Sequence, residues 1–170
     1  MKTSRMEFYG FTDYEMGYMA HMTTAGDVEI PVNVYADPGT DFFMPWGTNC
    51  EFELQGIANE RSIEVYSCEE DYLRSEIRIA CPGLIPVGAF ATEDEERNRT
   101  FREVPTVVFS GIVKKVEVLE PLQDRPAFFA EIRTLDLTIN LYYDGDKAVR
   151  PGDLFFCEAW LWGDIVREDG

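Results

Sequence analysis

His21, in Gly17-Tyr18-Met19-Ala20-His21-Met22, is the one histidine of this 170-residue chain. It is the one side chain whose ordinary titration range suits general-base work near neutral pH. A base needs a nucleophile to activate. No Gly-x-Ser-x-Gly elbow is present, and Ser110-Gly111 lacks the preceding glycine. His21 therefore reads as a strand histidine, and no catalytic residue is assigned. Cys50, Cys68, Cys81 and Cys157 stand apart with no Cys-x-x-Cys pair. A zinc site ordinarily shows such a pair, so four reduced thiols and no metal are expected. Asp and Glu number 32, and that abundance singles out no two of them as a glycosidase pair, which must sit about 5–10 Å apart. Asp144-Gly145-Asp146 lacks the spacing and closing Glu of a calcium loop and reads as a hairpin turn. The run Glu93–Glu96 reads as a solvated face. No glycine-rich phosphate loop appears. The expectation is a non-enzyme without cofactor.

The aromatic residues carry the remaining chemistry. Trp160, Trp162 and Tyr142, with the neighbouring Tyr143, are candidate stacking platforms for a ligand or partner. Trp46 is a further candidate contact. It lies among Phe42, Phe43, Met44 and Pro45 in an expected loop, Asp41–Gly47. A loop with that much apolar surface either packs back on the core or touches something else; packing back is expected.

Charge narrows the partner. Lys+Arg 15 against Asp+Glu 32 leaves a net charge of −17. Phosphate contact needs lysine and arginine, so nucleic acid is not an expected partner. A field of this sign steers association with a basic protein, although it also serves solubility alone. Lys2 and Arg5 precede no apolar signal core, because Asp13 and Glu15 follow at once. The densest apolar run, Leu154–Trp162, is interrupted by Glu158 and is too short to span a bilayer. No membrane association and a cytoplasmic location are expected.

These side chains need elements to hold them. Hydrophobic residues make up 45% of the chain, enough for a folded core. Alternation predicts strands at Glu15–Met22, Asp27–Tyr35, Cys50–Gly56, Ser62–Tyr66, Glu76–Ala80, Thr106–Leu119, Ala127–Thr134, Leu135–Tyr143 and Leu154–Trp162. Turn residues separate them, among them Ala25-Gly26-Asp27, Asp37-Pro38-Gly39, Pro82-Gly83 and Pro151-Gly152-Asp153. Ser67–Arg74 predicts two helical turns with Ser67 as N-cap and Glu70 at the capping-box position. Glu93–Arg99 reads as a loop or short exposed helix. The fold class is all-β with one short helix.

Shifting the chain against itself by 107 places Val28–Gly56 on Leu135–Gly163 without a gap. Asn33/Asn140, Tyr35/Tyr142, Asp37/Asp144, Cys50/Cys157, Glu51/Glu158, Leu54/Leu161 and Gly56/Gly163 coincide. Upstream, Phe8-Tyr9-Gly10-Phe11 resembles Phe109-Ser110-Gly111-Ile112 after an insertion of six residues. This reads either as an internal duplication or as two similar hairpins. Period two puts Val28, Ile30, Val32 and Val34 on one face, and likewise Leu135, Leu137, Ile139 and Leu141. Cys50/Phe52/Leu54 and Cys157/Ala159/Leu161 are expected core positions. The opposite face carries Glu51/Glu53/Gln55 in one half and Glu158/Trp160/Trp162 in the other. Two indoles on such a face need a cover, and residues outside their own module or a second subunit are expected to supply it. Pro31 lacks a ladder donor and marks an edge or a bulge.

From Pro105 onward the order is a glycine-bearing strand (Phe109-Ser110-Gly111-Ile112), paired strands, then Val149-Arg150-Pro151-Gly152-Asp153 leading into Leu154–Gly163. This resembles an OB-fold barrel over the C-terminal third. The expected organisation is two small β-barrel or sandwich-like modules, 1–104 and 105–170, the second OB-like. The resemblance implies oligonucleotide or oligosaccharide ligands, but a nucleic-acid face would want more cations interleaved with aromatics than Lys114 and Lys115, the only adjacent lysines, supply. The functional expectation is a binding protein whose acidic surface contacts a basic protein; the alternative is an oligosaccharide- or small-ligand-binding module using exposed aromatics. A homo-oligomer is compatible with either.

Overall fold

The computed structural model describes residues 1–27, 29–36, 45–87 and 104–166. The alternating sequence forms ten strands: β1 (Ser4–Tyr14), β2 (Gly17–Thr24), β3 (Pro31–Ala36), β4 (Thr48–Ala58), β5 (Glu64–Tyr66), β6 (Gly83–Pro86), β7 (Thr106–Leu122), β8 (Arg125–Thr134), β9 (Leu137–Asp144) and β10 (Leu154–Ile165). A 3-10 turn (Glu60–Ser62) and one helix, α1 (Glu69–Arg74), complete the described elements. The protein is all-β with one short helix.

Three local expectations need correction. The N-cap of α1 is Cys68, with no side-chain capping bond, not Ser67. Glu69, Glu70 and Asp71 still fill its first turn and Arg74 its last, as the helix dipole favours. No strand forms at Glu76–Ala80. Its carbonyls are claimed by side chains instead: the Tyr72 hydroxyl donates to Ile79 O at 2.8 Å and Ser110 Oγ to Ala80 O at 2.6 Å. Leu135 is not a strand residue but sits in the β8–β9 turn with φ 51°. Pro31 opens β3, where the missing N–H costs least. Glu93–Glu96, Phe42, Phe43 and the Asp37-Pro38-Gly39 turn lie outside the described residues.

Strand pairing closes two circuits. One runs β1-β2-β3-β10-β4 and back to β1; the other runs β7-β8-β9-β4-β10 and back to β7. They share the antiparallel β4–β10 ladder. Each strand of β1–β4 has a partner pattern repeated by β7–β10, including the parallel contacts β3–β10 and β9–β4. Along the shared ladder Leu161 pairs with Gly56, Trp162 with Gln55 and Gly163 with Leu54. A shift of 107 (162 − 55 = 107) maps this ladder onto itself. Elsewhere the pairing register departs from the gapless alignment. Tyr35 pairs with Trp162 and Asn140 with Gln55, so β3 and β9 correspond at 140 − 35 = 105. Cys50 pairs with Met6 and Cys157 with Phe109, so β1 and β7 correspond at 109 − 6 = 103. The insertion between β7 and β10 relative to β1 and β4 is thus four residues (107 − 103), not six. Even-numbered slips leave every side chain on its original face. Both first strands are irregular over the corresponding stretch, β1 between Phe8 and Phe11 and β7 between Val113 and Lys115.

The inner faces meet in one core. It joins Met6, Phe8, Met22, Val32, Val34, Phe52 and Leu54 to Phe109, Ile132, Ile139, Leu141, Phe155, Cys157 and Leu161. On the outer face of the shared ladder, Glu53 lies directly opposite Asp164. No cation among the described residues pairs with either. Like charges directly across an antiparallel pair are destabilising, so Glu53→Lys should raise stability by about 0.2–1 kcal/mol. A denaturant titration that shows no gain would mean that the two carboxylates already diverge into water.

Candidate binding site

The ladder pairs at Gln55 and Trp162 give the local strand order β9–β4–β10–β3. Leu161 and Gly163 point inward, so Trp160 and Trp162 face out over this four-stranded patch. Their rings join a continuous aromatic band. Tyr14 meets Tyr35 at 6.3 Å between centroids, Tyr35 meets Trp160 at 5.1 Å, and Trp160 meets Trp162 at 6.2 Å. Trp162 reaches over β4 to Tyr142 at 5.9 Å with planes 20° apart, and Tyr142 meets Phe129 at 5.2 Å. Trp160 is 36% exposed, Phe129 is buried, and the other four rings are half-buried. Trp160 thus rests on Tyr35, a residue of the 1–104 stretch.

A shallow pocket of about 190 Å³ ends the band at Phe129 and Tyr142, lined also by Lys115, Glu117, Leu119 and Glu131. Met1 forms part of its rim. The rim is held there by Asn140, which is fully buried although it lies on the outward register of β9. Its Nδ2 donates to Lys2 O at 2.8 Å and Leu54 O at 3.0 Å, while its Oδ1 accepts from Lys2 N at 3.3 Å. Ser4 extends the attachment, donating to Thr138 O at 3.2 Å and accepting from Thr138 N at 2.8 Å. Lys115 pairs with Glu117 at 2.7 Å, and the hydrogen bond to Glu117 holds the ammonium above its ordinary pKa.

A scan against protein-family models and searches of curated proteins and of solved structures find no match. The site must therefore be read from its own chemistry.

Of the sequence candidates, the fold brings Trp160, Trp162 and Tyr142 together. Trp46 lies elsewhere. Its indole covers Gly10, where an added Cβ would come within 2.9 Å of Nε1, yet 77% of the residue is in solvent. The expected packing of this side chain onto the core does not occur. Sequence reading passed over Tyr14, Tyr35 and Phe129. Tyr35 was within reach, because the shifted alignment already matched it to Tyr142.

The other candidates do not assemble chemistry. His21 Nδ1 lies 2.8 Å from Asn33 Oδ1 and Nε2 lies 3.1 Å from Thr12 Oγ1. With Asn33 accepting, Nδ1 carries a proton. The order hydroxyl–imidazole–amide is that of a nucleophile, base and orienting group. Yet none of these three residues lines the pockets found at the aromatic band, at Cys50 or at Gly26. The contacts tie the outer faces of β1, β2 and β3 together. All four cysteines are free. Cys157 is fully buried, and burial with Glu158 beside it pushes its thiol well above the usual range. Cys50 is half-buried where full burial was expected, and burial raises its thiol too. Neither is an activated nucleophile. Among the described residues no group of three His, Cys, Asp or Glu is placed to hold a metal ion, and no helix is long and apolar enough to cross a membrane.

Proposed function

We propose that the chain is a non-catalytic binding protein whose partner is a basic protein, docked on the aromatic band. The observation that carries this reading is the band itself: six rings in sequence across the shared ladder, bordered by Glu53 and Asp164 on one part and by Glu117 and Glu131 on another. Aromatic faces beside carboxylates suit lysine and arginine, through cation–π attraction and charge pairing together. The net charge of −17 adds long-range steering. Oligosaccharides would use the same rings as flat platforms. The carboxylates beside the rings favour the cationic partner over a neutral sugar. The repeated partner pattern of β1–β4 and β7–β10 supports a duplicated four-strand unit as the origin of the fold, with OB-like small barrels as its architecture. On that reading the tryptophans of the site belong to the second copy, because Trp160 and Trp162 stand where the first carries Glu53 and Gln55.

The test is capture on the immobilised chain with elution by a salt gradient, run beside tryptophan fluorescence against a panel of neutral oligosaccharides. Basic proteins released by salt, and no longer held by Trp160→Gln, are expected. Fluorescence quenching by a neutral oligosaccharide without salt-sensitive capture overturns the reading. Trp160→Gln should itself cost about 1–2 kcal/mol in a denaturant titration, from lost contact with Tyr35 and Trp162 and from re-exposed apolar area. An unchanged midpoint would mean that the indole contributes no packing to the ladder.

A further inference from the structure

The pocket at the Phe129–Tyr142 end of the band is too small for a drug-sized molecule. It holds about 190 Å³, where sites for such ligands hold about 300–1,000 Å³. A single long side chain fits that scale. The lining combines two features, aromatic surface and a carboxylate. Half-buried Tyr142 supplies ring surface, backed by buried Phe129 at 5.2 Å and 59°. Glu131 supplies a half-buried carboxylate. The ladder sets Glu131 opposite Lys115, but the Lys115 ammonium goes to Glu117 instead, at 2.7 Å. Glu131 feels the Lys115 charge only through space and makes no salt bridge or hydrogen bond with the described residues. Glu117 thus holds the ammonium directly, while the oxygens of Glu131 keep their hydrogen-bonding capacity for a guest.

We propose that this pocket receives one arginine side chain of the basic partner, with the guanidinium lying on Tyr142 and its N–H fork on Glu131. The inference rests on the binding reading above and names the group that reading leaves open. Arginine fits better than lysine on physical grounds. Its planar guanidinium stacks on aromatic rings, is weakly hydrated and donates two parallel hydrogen bonds to one carboxylate. An ammonium is a strongly hydrated point charge that would compete with Lys115 on equal terms.

The probe is a hexa-arginine peptide, with hexalysine of equal charge as control. Binding is followed through tryptophan fluorescence in a Trp46→Phe background, where Trp162 stacks on the pocket residue Tyr142 and Trp160 adjoins it. Hexa-arginine should bind at low ionic strength at least about tenfold more tightly than hexalysine. Glu131→Gln should remove about tenfold of that affinity, whereas Glu70→Gln on α1 should leave it unchanged. Lys115→Met should act in the opposite direction and strengthen binding, because it frees Glu117 as a second acceptor. Thermal melts of each variant establish that the fold is kept. If hexa-arginine binds but Glu131→Gln and Lys115→Met leave its affinity unchanged, the pocket assignment fails while the cationic-partner reading stands. If neither peptide binds at low ionic strength, both fail.

Discussion

Replacing Gly163 by alanine should destabilise the protein by about 3 kcal/mol or more. Gly163 lies in the β4–β10 ladder opposite Leu54. A Cβ built on it would run into the Glu53 carbonyl oxygen and the Phe52 ring. The oxygen belongs to the backbone of the partner strand and cannot swing away. The Phe52 ring is fully buried in the core, so moving it would disturb the packing of its neighbours. Overpacking a well-filled site costs about 1–3 kcal/mol, and occasionally more. Here relief requires the ladder shared by both circuits to open, which adds lost hydrogen bonds to the steric cost. Gly152 is the control. It has φ 94° and nothing within 4 Å of an added Cβ, so Gly152→Ala meets backbone strain alone, about 1 kcal/mol. Gly56, the counterpart of Gly163 under the 107-residue shift, meets only the side-chain tips of Leu141 and Leu161 at 3.3 Å and the Ala159 Cβ at 3.5 Å. Gly56→Ala should therefore cost clearly less than Gly163→Ala. Equal denaturant midpoints for the Gly163 and Gly152 variants would show that the ladder has slack at Gly163.

Much of this fold was legible because its information is period two. Val32, Val34, Phe52, Leu54, Ile139, Leu141, Cys157, Ala159 and Leu161 fall on the buried face where alternation puts them. A two-residue slip in register preserves that face, so β3 and β9 kept their inner residues although their pairing differs from the gapless alignment. The same tolerance hid the true correspondence. Asn33 matched Asn140 in sequence, but the ladder sets Tyr35 at the place of Asn140. β1 was passed over because its outward positions carry Tyr9 and Phe11, which blur the contrast with Met6 and Phe8. At Glu76–Ala80 the alternation was real and the strand is not, because Tyr72 and Ser110 supply the hydrogen bonds a neighbouring strand would have made. Of the site, the tryptophans could be read from their mismatch with Glu53 and Gln55. The pocket could not. It depends on Met1, held by Asn140, reaching the outer face of β7 and β8, a contact across the whole chain that no local pattern encodes.

Tyr143 should make the protein weaker at alkaline pH, and Tyr143→Phe should remove that weakness. The ring stacks on Phe128 at 5.2 Å and tilts against Phe155 at 5.6 Å. Its residue is 6% exposed, and the buried hydroxyl has no hydrogen-bond partner among the described residues. Phenylalanine keeps both ring contacts and removes a polar atom whose burial without a partner costs about 1–3 kcal/mol. Near neutral pH the variant should be as stable as the parent, or more so. Burial also disfavours the phenolate and pushes the Tyr143 pKa from 10.0 to about 12. Below pH 10 both folded and unfolded chains keep the phenolic proton, and the group gives no pH dependence. Between pH 10 and 12 the unfolded chain releases its proton first, which stabilises the unfolded state. The folded protein therefore loses stability as pH rises through this window. The gap from 10 to about 12 sets an upper bound of a few kcal/mol on this loss, reduced by whatever screening solvent supplies. Denaturant titrations at stepped pH should show this loss in the parent and show it shrink in Tyr143→Phe, with the remaining decline due to other tyrosines and the lysines. Parallel curves for the two proteins across pH 10–12 would mean that the hydroxyl reaches water in the folded state, and the predicted gain at neutral pH would then fail for the same reason.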